Sequence, residues 1–375
     1  VTAGGAAPGG PAVLPRQRSA HRFHALRVAA VDRLTADAVT VTFAVPPELA
    51  ERFRFVQGQH LTVRCELGGE QVRRNYSICA QAPDGPLRIA VKRLDGGVFS
   101  RYANDTLRPG AVLDVLPPLG GFNVPLDPGA ARTHVAIAAG SGITPVLSLV
   151  ATTLAAEPLS RFTLVFANRT AGDVMFLEEL NDLKDRHPDR FQLLNVLSRE
   201  ATGAPVTSGR IDAERIDLLL TSLIRPGGVD HWYLCGPFDL VELVRAELRG
   251  RGVPDGAVHF ELFHVGDDPP PPRRRAEGAA PGATTSVRFT LDGRTSTVDV
   301  DGDTETVLGA ALRVRSDAPF ACRGGVCGTC RAKVDEGGVQ MARNYALDPA
   351  EVAAGYVLTC QSRPEGAEVV LDYDA

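Results

Sequence analysis

From His21 to about Pro125 apolar residues recur in short alternating runs: LRVAAV, AVTVTFAV, HLTVRCEL, RRNYSICA, LRIAVKRL and AVLDVLPP. Alternation with period two, broken by Gly, Pro and Asp turns, marks half-buried strands, and this spacing predicts an antiparallel barrel. At His134 the rhythm changes. Continuous apolar runs (HVAIAA, FTLVFA, FQLLNVL, HWYLC) alternate with helical stretches such as Met175–His187 and Asp239–Arg249. Strands apolar on both faces, separated by helices, predict a parallel sheet covered on each side.

The stretch Gly266–Thr285, GDDPPPPRRRAEGAAPGATT, with its four consecutive prolines, three arginines and Gly/Ala run, cannot bury a core and reads as a linker, stiff in its prolines and loose after them. Beyond it SVRFTL and STVDV predict a hairpin, Thr304–Arg315 a helix and VVLDYD a last strand. The expected divisions are a disordered Gly/Ala/Pro-rich tail (1–20), a barrel (21–126), an α/β domain (127–265), the linker (266–285) and a small C-terminal module (286–375).

At 44% hydrophobic and 23% charged residues the chain has the composition of a globular protein. Its net charge of −5 gives no reason to expect nucleic acid or a membrane surface as partner. The most apolar stretch, Val135–Val150, is broken by Gly140, Ser141, Gly142, Thr144 and Pro145, so no membrane span is expected. The C-terminal module has 14 acidic against 9 basic residues, an excess equal to the net charge of the whole chain. An acidic face of this kind is either simply solvated or docks a basic partner.

Four of the seven cysteines change the picture. Cys322, Cys327, Cys330 and Cys360 follow C-x4-C-x2-C and then a distant C, the plant-type spacing for a 2Fe–2S cluster. Arg323-Gly324-Gly325 lets backbone N–H groups approach the sulfurs. Zinc also takes four cysteines, usually from two separated C-x2-4-C pairs. Here three come from one loop, which favours iron. Cysteines committed to metal argue for a reducing compartment, and the expected location is cytoplasmic. Cys65 and Cys79 read as strand packing.

Further motifs suit a planar, phosphorylated ligand. Arg74-Asn75-Tyr76-Ser77 offers a guanidinium fork, an aromatic ring and a hydroxyl on one strand. Gly96-Gly97-Val98-Phe99-Ser100 lets backbone approach a pyrophosphate, with a hydroxyl following. Strand HVAIAA runs into Gly140-Ser141-Gly142-Ile143-Thr144-Pro145 and a helix, the arrangement that presents N–H dipoles to an anion. Cys235-Gly236-Pro237 ends strand HWYLC at the edge where ligands of parallel sheets bind. Ser198-Arg199 follows FQLLNVL, where a hydroxyl and a guanidinium suit a ribose 2′-phosphate, favouring NADPH over NADH.

RNYS and GGVFS at this separation resemble the flavin barrel of the ferredoxin–NADP reductase superfamily. The order of barrel, nucleotide domain and C-terminal plant-type ferredoxin resembles the single-chain reductases that serve bacterial oxygenases. Within these the chain is most similar to the reductase subunits of phenylacetyl-CoA epoxidase complexes, from about His21 to Ala375. FRFVQGQHLTVR, VRRNYSICA, GSGITPVLSLVATTLA, VMFLEELNDLKDR, VLSRE and ACRGGVCGTC carry the likeness.

That resemblance implies a multi-domain fold: an antiparallel β-barrel for FAD, an α/β parallel-sheet nucleotide domain and an α+β β-grasp ferredoxin domain. It implies FAD held by Arg74, Tyr76, Ser77, Gly97, Ser100 and Phe263. NADPH would be held by Gly140, Gly142, Thr144, Pro145, Ser198, Arg199, Cys235, Gly236 and Pro237. Cys235, Glu261 and Tyr76 would flank the hydride path. Electrons would pass from NADPH through FAD and the cluster to a multi-subunit diiron oxygenase that epoxidises phenylacetyl-CoA. The same reductase serving another oxygenase, a stand-alone NADPH oxidase and a zinc-stabilised binding module are the rival readings.

Overall fold

The computed structural model describes residues 22–263, 284–301 and 304–375. The expected tail and nearly all of the expected linker lie outside them.

The first sheet contains β1 (His24–Thr35), β2 (Ala38–Ala44), β3 (His60–Leu67), β4 (Glu70–Ser77), β5 (Arg88–Lys92) and β6 (Val112–Val115), with helix α1 (Val98–Asp105) before β6. All pairings are antiparallel, in the order β4-β3-β6-β1-β2-β5. A bridge between Ile78 and Ile89 joins the outer strands and closes the barrel. Inward residues such as Leu26, Val28, Val41, Leu61 and Ile89 fill it, and α1 adds Phe99 and Ala103. Closure removes the free edges that an open sheet would expose.

The second sheet is parallel: β7 (Thr133–Ala139), β8 (Arg161–Asn168), β9 (Phe191–Leu197), β10 (His231–Cys235) and β11 (Val258–Glu261). Its order is β11-β10-β7-β8-β9. Helices α2 (Ile143–Ala156) and α3 (Leu177–Arg186) pack on one face, α4 (Ala213–Ser222) and α5 (Phe238–Gly250) on the other. That double cover is why the strands read as unbroken apolar runs. The helix expected over Met175–His187 starts later because Phe176 takes a left-handed φ of 59°. Sheet order reverses between β7 and β10, so a crevice opens at their C-terminal ends.

The third sheet is mixed, β13-β12-β16-β14-β15, from β12 (Thr284–Leu291), β13 (Arg294–Asp301), β14 (Arg331–Met341), β15 (Tyr356–Leu358) and β16 (Ser362–Asp372). Helix α6 (Val307–Val314) buries Val307, Leu308, Ala310 and Ala311 in the module's core, and α7 (Pro349–Ala353) precedes β15. The helix expected from Thr304 begins after Thr306, whose hydroxyl accepts from the Gly309 N–H at 3.2 Å and caps it.

Barrel and parallel sheet are joined through α2. The Thr152 hydroxyl accepts from the Ala82 N–H at 2.9 Å, and the Ser148 hydroxyl donates to the Ala80 carbonyl at 2.6 Å. Barrel residues Ala38, Cys79 and Phe122 share one apolar cluster with α2. Among the described residues no helix is long and apolar enough to cross a membrane.

Candidate functional site

The crevice of the parallel sheet is assembled by close backbone contact. Gly140 takes a φ of +53° at the end of β7. At Gly142 the absence of a side chain is obligatory: a Cβ there would lie 2.1 Å from the Cys235 carbonyl oxygen. The two glycine motifs expected to meet a pyridine nucleotide therefore touch each other at the switch point. Thr144 turns inward, its hydroxyl donating to the Ser141 carbonyl at 3.0 Å, and Pro145 lies buried in the first turn of α2. Gly236 and Pro237 lead from β10 into α5, with Pro237 at its N-cap.

Cys235 is buried and pairs in register with Glu261 across β10 and β11. Burial pushes its thiol far up, with Glu261 adding to the effect, so it stays protonated. Ser198 and Arg199 are exposed at the same edge of the sheet, beyond β9. Their N–H groups donate to the carbonyls of Asn168 and Arg169, which holds the pair beside the end of β8.

A second space, about 520 Å³, lies where the barrel, the end of β11 and the C-terminal module meet. Arg74, Ser77, Glu261 and Phe263 line it, together with Cys322 and Cys327. Ser77 donates to Glu261 Oε2 at 2.8 Å, tying barrel to parallel sheet. Burial raises the Glu261 pKa to about 7 while the Ser77 hydrogen bond pulls it down, so the carboxyl can hold or release a proton near neutrality.

His60 completes this wall, and sequence reasoning missed it. Burial lowers its pKa to about 4, leaving a neutral ring at pH 7. Its Nδ1 is 3.8 Å from Glu261 Oε1, and among the described residues its buried Nε2 has no hydrogen-bond partner. An orphaned polar atom in such a cavity fits a polar ligand, and an exposed guanidinium and phenyl ring, those of Arg74 and Phe263, suit a flavin nucleotide. Nothing in the GQH sequence separates His60 from an ordinary polar strand residue.

Two expected flavin residues sit differently. Tyr76 is not among the residues lining this cavity, and its ring packs 5.4 Å from Phe99 of α1. The Ser100 hydroxyl is engaged within its own loop, accepting from Leu94 N–H at 3.1 Å and donating to the Gly97 carbonyl at 3.2 Å. It shapes the turn into α1, with Gly97 at the N-cap.

The four cysteines gather as two pairs. Cys322 shares a hydrogen bond with Cys327, and Cys330 with Cys360. The Cys322 thiol is pushed down by its bond to Cys327 and by N–H groups of Val326, Gly324 and Cys327. Among the described residues no three His, Cys, Asp or Glu side chains are placed to share one metal ion. Two thiol pairs fit a binuclear centre in which each iron takes two thiolates.

Comparison with known proteins agrees with this geometry. Residues 25–124 match the oxidoreductase FAD-binding domain family, 136–246 the oxidoreductase NAD-binding domain family, and 289–365 the 2Fe-2S iron-sulfur cluster binding domain family. Over 353 residues, 94% of this chain and 98% of the relative, the sequence is 45% identical to a component of the 1,2-phenylacetyl-CoA epoxidase of Escherichia coli K12. It is 33% identical over 90% of its length to the ferredoxin reductase component of 3-ketosteroid-9-alpha-monooxygenase from Rhodococcus rhodochrous, covering 93% of that protein. The solved structure of phthalate dioxygenase reductase, described as modular for electron transfer from pyridine nucleotides to [2Fe-2S], superimposes with a TM-score of 0.56. It is 27% identical, and the match covers 93% of this chain and 98% of that one.

Fold and sites define an NAD(P)H-dependent oxidoreductase with FAD and a 2Fe–2S cluster. The chain belongs to the family of single-chain reductase components of oxygenases that includes the reductase of the 1,2-phenylacetyl-CoA epoxidase complex. It passes electrons from NAD(P)H through flavin and cluster to an oxygenase.

Proposed function

We propose that the electron donor is NADPH and that the acceptor is the diiron oxygenase of a phenylacetyl-CoA epoxidase complex in the cytoplasm. The observation that carries the second half is the 45% identity to the E. coli component, sustained over 98% of that protein's length. Ser198 and Arg199, exposed beyond β9, support the preference for a 2′-phosphate. The functional units are residues 21–126, 127–265 and 286–375.

Flavin, when bound, would split the electron pair of one hydride into single electrons for the cluster to carry one at a time. The chain's own residues do the rest. Backbone around Gly140 and Gly142 receives the nucleotide's phosphates at the start of α2, and Cys235 and Gly236 form the floor beneath its reacting ring. Arg74 binds flavin phosphate, and Phe263 covers the flavin. Tyr76 packs against Phe99 of α1 and fixes that helix to the strand that carries Arg74. Ser77 holds Glu261 at 2.8 Å beside the crevice, where a carboxyl titrating near 7 can take or return the proton that accompanies reduction. Cys322, Cys327, Cys330 and Cys360 ligate the cluster.

Reconstitution tests the reading. The holoprotein with NADPH and the oxygenase components of a phenylacetyl-CoA epoxidase is expected to form epoxide in step with NADPH oxidation. Turnover with a 3-ketosteroid oxygenase and none with phenylacetyl-CoA would overturn it.

A further inference from the structure

The barrel face that meets the C-terminal module carries alternating guanidinium and phenyl groups. Arg64 of β3 lies 3.9 Å over the Phe23 ring, and Arg73 of β4 lies 5.4 Å from the same ring. Arg73 is also 4.1 Å over Phe320 of the module, and Arg323, next to Cys322, is 4.5 Å from Phe320. The series thus runs from barrel to cluster loop.

Arg73 is its centre and is only 4% exposed. Its Nη1 and Nη2 donate to the main-chain carbonyls of Ala318 and Ser316, each at 3.1 Å, and its Nε donates to Gln71 Oε1 at 3.0 Å. The hydrogen-bond acceptors are neutral, so the bonds read the shape of the backbone at Ser316 and Ala318, while the Asp317 carboxylate between them adds attraction. A planar fork can do this while stacked on a ring; an ammonium cannot. A second grip lies beside it. Thr329, buried between Cys327 and Cys330, accepts from Asn75 Nδ2 at 3.3 Å and meets the Thr62 hydroxyl at 3.4 Å. Both contacts hold segments that carry or flank cluster cysteines, next to the cavity lined by Arg74, Ser77 and Glu261.

We propose that this guanidinium–phenyl series is the surface on which the barrel docks this chain's own ferredoxin module, with Arg73 the positioning residue for passage of electrons from flavin to cluster. The proposal rests on the placement of flavin in the adjacent cavity. Arg73 and Phe320 border that same cavity, and the proposal assigns Arg73 to alignment of the module and not to flavin binding.

The test uses full-length holoprotein carrying Arg73→Gln, Arg73→Lys or, from the other side of the contact, Phe320→Leu. Flavin and cluster content are measured first, then anaerobic stopped-flow with NADPH and hydrogen exchange of the amides in 316–330. Cofactor content and NADPH–ferricyanide activity are expected to stay within about twofold of wild type. Bleaching of the cluster is expected to slow by about tenfold or more in all three variants, since small misplacements cost that much. Amides in 316–330 are expected to exchange faster. Wild-type cluster bleaching with unchanged exchange would overturn the proposal. Loss of flavin from the Arg73 variants, with Phe320→Leu normal, would also overturn it by making Arg73 a flavin ligand.

Discussion

The nucleotide crevice and the cavity beside the cluster serve the same electrons but are made of different material. In the crevice the backbone does the shaping: Gly142 must lack a Cβ because Cys235 presses against it. In the cavity the shape comes from side chains of four separate segments, with Ser77, Glu261 and His60 in one chain of contacts and Cys322 and Cys327 from the module. A site made from backbone tolerates no added atom. A site made from side chains is tuned by charge and is sensitive to pH.

The largest effect is expected at the cluster. Cys327→Ser removes one thiolate of a pair, and the variant should lose the 2Fe–2S absorbance while NADPH still reduces the flavin. Loss of flavin as well would show that the two halves of the cavity do not stand apart. Next comes Gly142→Ala, where overpacking against Cys235 should cost about 1–3 kcal/mol of stability. Its KM for NADPH should rise several-fold, read by steady-state kinetics with ferricyanide, while flavin content holds. An unchanged KM would mean that the contact between β7 and β10 does not shape the nucleotide site.

Glu261→Gln sharpens the other side of the contrast. The Glu261 carboxyl, raised by burial from 4.5 to about 7, keeps its proton in the fold where the unfolded chain has lost it. Its contribution to stability is full below the unfolded value and fades as pH rises through 7. The variant, fixed in the neutral form, should therefore gain melting temperature relative to wild type as pH rises from about 4.5 to about 7 and keep that gain above it. Parallel curves would contradict the buried carboxyl. His60 acts in the opposite sense. Its pKa is lowered by burial from 6.5 to about 4, so its contribution is present above 6.5 and is lost as pH falls toward 4. The smallest effect is expected from exposed Arg199. Arg199→Ala should raise KM for NADPH and leave that for NADH nearly unchanged, and equal changes would refute a 2′-phosphate contact.

The same contrast explains what could be read from the sequence. Backbone-built features show as local motifs: GSGITP and CGP lie at the C-terminal ends of β7 and β10, where Gly142 meets the Cys235 carbonyl. The barrel and parallel sheet were legible because alternation and continuous apolar runs follow directly from burying one face or two. Strand β14 was not. Its stretch Val334–Gly338, VDEGG, has register shifts around Glu336, and no alternation survives there. His60, Arg73 and Thr329 were illegible for another reason. Each gains its role from a partner far along the chain, such as Arg73 from Ser316 and Ala318, and no local pattern encodes that docking.

On the proposed reading, flavin and cluster exchange electrons inside one folded chain, across the cavity that Arg74, Ser77 and Cys322 share. Anaerobic stopped-flow with excess NADPH, repeated over about a tenfold range of protein concentration, tests it most directly. Cluster bleaching should follow flavin bleaching at a first-order rate independent of protein concentration. A rate proportional to concentration would mean that electrons cross between molecules, and that the docked arrangement is not the one that carries them.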